Sequence, residues 1–246
     1  MNASESNEKT VYRSKIRSSG LTDFEVRVEQ TDLLIRAERN LSQEALELVI
    51  QGRNRIAAWA ENHDAFLTSL APLPESPLAP SPVKEMLSAS RKADVGPMAA
   101  VAGGLAEFVG RGLLSFSSKG VIVENGGDIF VSVTSEIVVG LFAGMSSLSL
   151  RLGLTVSPDQ TPLGICTSSR TVGHSFSLGK TDAATVMADS GALADAAATA
   201  LGNRVERVQD IEPALNWVLT LDGVRGAAVV LGENIGLLGD LNLVQI

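Results

Sequence analysis

Cysteine, histidine and aromatic residues are nearly missing from this chain. One cysteine, Cys166, and two histidines, His63 and His174, stand among 246 residues. A single thiol excludes an intrachain disulfide and any multi-cysteine metal centre. Two histidines are too few for a histidine-rich zinc site. Magnesium and calcium, which take oxygen ligands, stay open. Positive charge is short as well: 20 Lys and Arg against 28 Asp and Glu leave a net charge of −8, with no basic run. That argues against a nucleic-acid groove and against an anionic membrane surface. Long apolar runs are also missing. The longest, around Ile137 to Met145, holds two glycines and is too short to span a bilayer. The first ten residues, MNASESNEKT, are polar and contain no apolar core of a signal peptide. A soluble, cytoplasmic protein is expected.

What is present is small side chains and patterned strands. Residues 1–9 read as a disordered tail and 10–246 as a single α+β domain, with two sub-domains as a variant of that reading. Thr10 to Arg17, Phe24 to Glu29 and Asp32 to Glu38 alternate apolar and polar, which predicts an opening antiparallel meander. Ser42 is placed as the cap of a helix carrying Leu46, Val49, Ile50 and Ile56 at helical spacing and reaching toward Leu70. Five of the nine prolines fall within Ala71 to Val83, so 71–83 is an extended loop: a connector, a lid or an oligomer arm. Lys84 to Ala93 is a short helix. Pro97 opens the next one, in which Gly103, Gly104 and Gly110 each cost roughly 1 kcal/mol relative to alanine. Strands follow at Gly120–Val123, Ile129–Thr134, Ile137–Phe142, Ser147–Val156, Gly164–Thr167 and Ala183–Met187. Ser190 caps a helix of tiny residues that Gly202 ends. A helix at Ile211–Leu221 and strands at Ala227–Leu231 and Leu241–Ile246 close the chain. Strands and helices come in runs, which favours α+β over a doubly wound parallel sheet.

Four groups of residues could carry chemistry. The turn Asn125-Gly126-Gly127-Asp128 exposes backbone amides and can nest a phosphate, or can be an ordinary hairpin turn. Asp195 and Thr199 lie four apart on the helix ADAAATAL, so both oxygens share a face. They suit magnesium, or are a buried acid near a helix start and a threonine bonded back to its own helix. His174 could act as a general base near neutral pH, or be a structural histidine. Thr167-Ser168-Ser169-Arg170 could hold phosphate oxygens or form a polar turn. Cys166 lies in the apolar run LGICT and reads as a small core hydrophobe. An enzyme of unrelated chemistry using His174 and Ser168-Ser169 finds no G-x-S-x-G support.

Taken in order, these segments resemble the ApbE-like superfamily, whose best-known members are FAD:protein FMN transferases. Gly96 to Leu105 resembles the family's G-x-I-A-K-G-Y helix. Glu124-Asn125-Gly126-Gly127-Asp128-Ile129 resembles N-L-G-G-D-I. Thr167-Ser168, His174-Ser175 and Ala194 to Leu201 resemble T-S-G … H-I-I-D-P … A-D-A-L-A-T-A-L. The chain is closer still to a family of bacterial and archaeal proteins without an assigned activity, placed beside the transferases, through ADVGPMAAVAGGLAEFVG, ENGGDI, GICTSS-x-T-x-GHS and ADAAATALGN. The resemblance implies an ApbE-like α+β fold with mixed or antiparallel sheets flanked by helices. It implies Asp195 and Thr199 as magnesium ligands and His174 as the acid/base group. Asn125, Gly126, Gly127, Asp128, Thr167, Ser168, Gly103 and Gly104 would line a phosphorylated ligand such as a flavin nucleotide. The implied chemistry is magnesium-dependent phosphoryl or nucleotidyl transfer, or pyrophosphate hydrolysis. A homo-oligomer is compatible with it. The chain departs from the transferase pattern in places. The family's lysine falls on Gly103 and its tyrosine on Leu105. Its T-S-G becomes Thr167-Ser168-Ser169, and its H-I-I-D-P becomes His174-Ser175-Phe176-Ser177-Leu178. One Tyr and two Trp supply little ring surface to sandwich an isoalloxazine. A smaller phosphorylated or pterin-like ligand therefore fits as well as FAD. The alternative is a non-catalytic binding or scaffold protein that kept the fold.

Overall fold

The computed structural model describes the backbone of residues 16–17 and residues 20–141, 149, 151–169 and 180–246. Three layers make up the described part. The middle layer is an eight-stranded sheet in the order β11-β10-β9-β8-β5-β4-β3-β2, every neighbouring pair antiparallel. Its strands are β2 (Thr22–Val28), β3 (Thr31–Ala37), β4 (Gly120–Asn125), β5 (Asp128–Val133), β8 (Leu163–Ser168), β9 (Ala183–Ala188), β10 (Val224–Leu231) and β11 (Asn234–Gly239). A four-stranded antiparallel sheet covers one face, with β1 (Ile16–Arg17), β6 (Ile137–Gly140), β7 (Leu152–Val156) and β12 (Asn242–Gln245) in the order β1-β6-β7-β12. Helices α1 (Ser42–Glu61), α2 (Val83–Ala93), α3 (Val101–Leu113), α4 (Gly191–Asn203) and α5 (Ile211–Val218) lie on the other face.

Side-chain alternation explains why the large sheet is covered twice. On β5, Phe130 points to the helices, while Ile129 and Val131 meet Ile137, Val139, Leu154 and Val156 of the small sheet. Both faces of the central strands are apolar, so neither can be left in water. Helix α1 buries Ala45, Val49, Gly52 and Ile56, a stripe at helical spacing, against β2 and α3. Helix α4 sits at the centre of the helical layer, against β8, β9, α2 and α3. Each residue from Gly191 to Gly202 is buried.

Several expected boundaries move. Ile16–Arg17 pairs with β6 in the small sheet, while β2 and β3 form a hairpin in the large one, so the opening strands are no single meander. Leu41 occupies the cap position of α1 and offers no side-chain bond; Asn40 Oδ1 instead accepts from the Ser42 amide at 2.9 Å. That helix stops at Glu61, and the chain runs without a long helix to Val83. Helix α4 continues through Gly202 to Asn203, whereas its Ser190 cap is as expected, accepting from the Leu193 amide at 3.1 Å. Strand β11 lies outside the expected strands, because NIGLLG carries two glycines and no clean alternation. The stretch Pro97–Phe116 is long and apolar enough by composition to cross a membrane, and half of it is buried inside the protein. It is the core helix of this layer, with Gly103 to Glu107 packed against its neighbours.

Candidate functional site

Two glycines set the geometry of the site. Gly103 on α3 and Gly191 at the start of α4 face one another so closely that a Cβ on either would strike the other's backbone carbonyl. A Cβ on Gly164 of β8 would meet the Gly191 Cα at 2.5 Å. Gly191 is thus wedged between a helix and a strand with no room for a side chain. Glu107 secures it, because its Oε2 accepts from the Gly191 amide at 2.7 Å while its Oε1 holds Arg111 Nε at 2.7 Å. The tiny side chains of α4 therefore serve close backbone packing.

This packing puts Asp195 at the start of α3. Asp195 Oδ2 accepts from the Gly103 amide at 2.9 Å and the Ala102 amide at 3.1 Å. Those amides belong to the first turn of α3, where donors lack partners within the helix and the dipole favours an anion. Asn125 holds the same turn from the other side, donating from Nδ2 to the Ala102 carbonyl at 3.0 Å. One peptide of α3 is fixed by residues from β4 and α4, which lie 70 positions apart in sequence.

Asp128 opens β5 beside this arrangement. Its carboxylate lies beside the Cys166 side chain and accepts from the Thr167 backbone amide. Burial pushes its pKa well above the usual carboxylate range, and the nearby Asp195 and Glu124 carboxylates push it the same way. Burial also lifts Asp195, to about 7, against the opposing pull of the two α3 amides. Asp128 and Asp195 are each 8% exposed, and Thr199 is 9% exposed. The Cys166 thiol is fully buried, points toward the Gly191 carbonyl at 3.5 Å, and is pushed up by burial and by both aspartates. Such a thiol is inert. Its placement agrees with the expected core role and adds a polar contact to Asp128.

The Gly126-Gly127 turn joins β4 to β5 as a two-residue hairpin loop. Both glycines have positive φ, +67° and +107°, the backbone a mirror-image hairpin turn requires. Gly126 is exposed, and the Gly127 amide donates to Glu124 Oε1 at 2.8 Å. Ser168, at the end of β8, lies on the helix-facing side with Cys166; its hydroxyl is buried and has no hydrogen-bond partner among the described residues. Thr167 faces the other way and shares a hydrogen bond with Thr185 at 2.9 Å between hydroxyls. Gly104 lies on the packing side of α3, toward Met86 and Ala192. His174 and Arg170 lie outside the described residues. The structure thus gathers Asn125, Asp128, Gly103, Asp195 and the Thr167 amide around the start of α3, with Ser168 and Thr199 on the adjoining strand end and helix turn. Glu107 and Asn125's grip on α3 have no signature in the sequence. Leu105, where the transferases keep a tyrosine, is buried against α1 instead, beside Gly52.

Comparison with known proteins agrees with this architecture. A family model described as "AbpE bacteria" matches residues 13–234. The chain is 39% identical over 201 residues to a UPF0280 protein of Methanococcus aeolicus, covering 80% of this chain and 81% of that one. It is 40% identical over 208 residues to a UPF0280 protein of Methanococcus vannielii, covering 81% and 84%. Among solved structures, the ApbE protein of Thermotoga maritima superposes with a TM-score of 0.55 at 12% identity, covering 88% of this chain and 96% of that one. The apo flavinyl transferase ApbE of Pseudomonas stutzeri gives 0.51 at 13% identity, covering 89% and 94%. At such identity the superpositions speak for a shared fold. By sequence and by fold together, the chain belongs to the ApbE-like family of proteins that the matching model describes.

Proposed function

We propose that this protein binds a phosphorylated small molecule of the flavin-nucleotide kind, together with a divalent cation, at the junction of α3, α4 and the β4–β5 turn. The observation that carries this is the pair of buried carboxylates, Asp128 and Asp195, both held above the usual carboxylate range. Burying two neighbouring acids is costly unless a cation or protons offset the charge. Asp195 Oδ1, the Asp128 carboxylate and the Thr199 hydroxyl are hard oxygen donors, the set that suits magnesium. Among the described residues no three His, Cys, Asp or Glu side chains group as a self-sufficient metal site. Magnesium commonly takes one or two carboxylates and completes its shell with water and phosphate. A site short of protein ligands fits a cation shared with a ligand pyrophosphate.

In this reading Asp195 and Thr199 hold the cation, with Asp128 beside them. The cation would neutralise phosphate charge that a protein of net charge −8 repels. The Gly126-Gly127 turn would approach the ligand with its backbone, and the Ser168 hydroxyl, without a partner among the described residues, would donate to a phosphate oxygen. His174 takes the base role through the family resemblance, activating a hydroxyl or water for attack on phosphorus. The Thermotoga neighbour is an ApbE protein and the Pseudomonas one a flavinyl transferase, which makes FAD the first ligand to try.

Calorimetric titration with FAD, FMN and inorganic pyrophosphate, with and without magnesium, tests the reading. Magnesium-dependent binding that Asp195→Asn and Thr199→Val both weaken is expected. Chromatography of FAD incubations for FMN and AMP then separates cleavage from binding alone. Failure of all three compounds to bind under either condition overturns it. One observation favours a scaffold without chemistry: Asp195 Oδ2 already serves two backbone amides. On that reading Asp195→Asn changes stability and leaves ligand binding untouched.

A further inference from the structure

Asn125 ends β4 immediately before the Gly126-Gly127 turn and lies across the hairpin from Asp128. Its Nδ2 donates to the Ala102 carbonyl at 3.0 Å, the one hydrogen bond its side chain makes among the described residues. This contact fixes the carboxamide in one orientation. A flipped amide would set Oδ1 against the carbonyl oxygen, acceptor against acceptor. The carbonyl belongs to the Ala102–Gly103 peptide, whose N–H donates to Asp195 Oδ2 at 2.9 Å. Asn125, one peptide unit and Asp195 therefore form an unbroken chain of hydrogen bonds from the β4–β5 turn to α4. Asp195 Oδ2 takes a second bond, from the Ala102 amide at 3.1 Å, while Oδ1 takes none among the described residues. One oxygen of a buried carboxylate is thus committed to backbone, and the other is left open.

We propose that Asn125 is a positioning residue for Asp195. It holds the Ala102–Gly103 peptide so that Asp195 Oδ2 stays bound to backbone and Oδ1 stays presented to a cation. This rests on the reading of Asp195 as a cation ligand. Two effects act along the chain. The Asn125 donor polarises the peptide and strengthens the Gly103 N–H bond to Oδ2, by roughly 10–30%. The larger effect is geometric. Two α3 amides orient the Asp195 carboxylate only while that turn keeps its place, and Asn125 anchors the turn to the sheet. Outer hydrogen bonds that orient a metal ligand typically change metal affinity by roughly 10–100-fold. The residue type fits this role. An aspartate at 125 would turn an acceptor toward the carbonyl and add negative charge beside Glu124 and Asp128, which already act on each other. A carboxamide donates without charge. Plain stitching of α3 to β4 is the competing role, and it implies lost stability with no separate loss of cation affinity.

Two measurements on the full chain test this. The variants are Asn125→Leu, which keeps the shape and removes the donor, and Asn125→Ser, which shortens the side chain. Ser190→Ala is the control, since it takes the acceptor from the Leu193 amide on α4 and leaves the Asn125–Asp195 chain intact. In metal-free, nitrogen-15-labelled protein, the Gly103 amide proton should move upfield and exchange faster in N125L and N125S, and should stay in place in S190A. Titration with Mn²⁺ followed by electron paramagnetic resonance should show a dissociation constant raised roughly tenfold or more in both Asn125 variants, and unchanged in S190A. A Gly103 signal that neither Asn125 variant moves overturns the proposal. So does a moved Gly103 signal with Mn²⁺ affinity intact, which leaves Asn125 a stitch between α3 and β4. An equal loss of Mn²⁺ affinity in S190A also overturns it, because general loosening then accounts for the effect. A natural chain that takes up no Mn²⁺ instead overturns the cation reading of Asp195, and the Gly103 signal still decides whether Asn125 holds that carboxylate.

Discussion

Asp195 is both a packing residue and the centre of the candidate site. Its Oδ2 ties down the first turn of α3, and its buried charge is opposed by a second acid, Asp128. The conservative substitution Asp195→Asn separates these roles, because an amide oxygen still accepts from Ala102 and Gly103 while the charge is gone. In metal-free protein at pH 8 it should raise the melting temperature, and it should abolish any rise that magnesium produces in the natural chain. Differential scanning calorimetry with and without magnesium reads both. Gly103→Ala is expected to act in the opposite direction. Its new methyl group meets the Gly191 carbonyl and the Asp195 Cβ, both on backbone that cannot swing away. A loss of about 1–3 kcal/mol, the usual cost of overpacking, should appear in urea unfolding, together with weaker ligand binding.

Helices α3 and α4 behave as one unit because their contact is backbone to backbone. Leu-rich helices pack at side-chain distance, whereas the Gly103–Gly191 contact leaves nothing between the main chains. Glu107 closes this contact, so its loss should be felt along both helices. Glu107→Ala leaves the buried Gly191 amide without an acceptor and should cost about 1–3 kcal/mol. Glu107→Gln, which keeps an acceptor, should lose less; comparison of the two urea midpoints checks the assignment. The Asp195–Thr199 spacing could be seen in the sequence, since a four-residue interval always shares a helix face. The partner of that face could not. Asn125 reaches α3 from a strand end, and Glu107 reaches α4 from another helix; neither link follows a local spacing.

The whole molecule should respond to pH through the buried acids. Asp195 titrates at about 7 in the folded protein against about 4 in an unfolded chain, and Asp128 shifts in the same direction. A folded-state pKa raised in this way means that folding favours the protonated acid. The stability it confers is full below pH ~4 and is lost as pH rises through about 7. Melting temperatures of metal-free protein should therefore fall between about pH 4 and 7, the window those values bracket. Magnesium should flatten the fall, since a bound cation favours the ionised acids that protons otherwise neutralise. A flat profile in metal-free buffer would show that neither acid is buried as charge.

Periodicity and turn chemistry are local, and they already wrote most strands, the Ser190 cap and the Gly126-Gly127 hairpin into the linear chain. The ordered blocks from Gly96 to Asn203 likewise carried the ApbE-like fold, because a fold's closest packing sites demand particular residues at particular steps. The end of α1, the pairing of β1 with β6, and β11 as an edge strand depended on neighbours far along the chain. So did the meaning of the small residues in α4. Tiny side chains suit a ligand or a backbone equally well, and the choice between them is made by what packs opposite. Here that is Gly103, and the close approach of the two main chains is what brings Asp195 to the start of α3 and within electrostatic reach of Asp128.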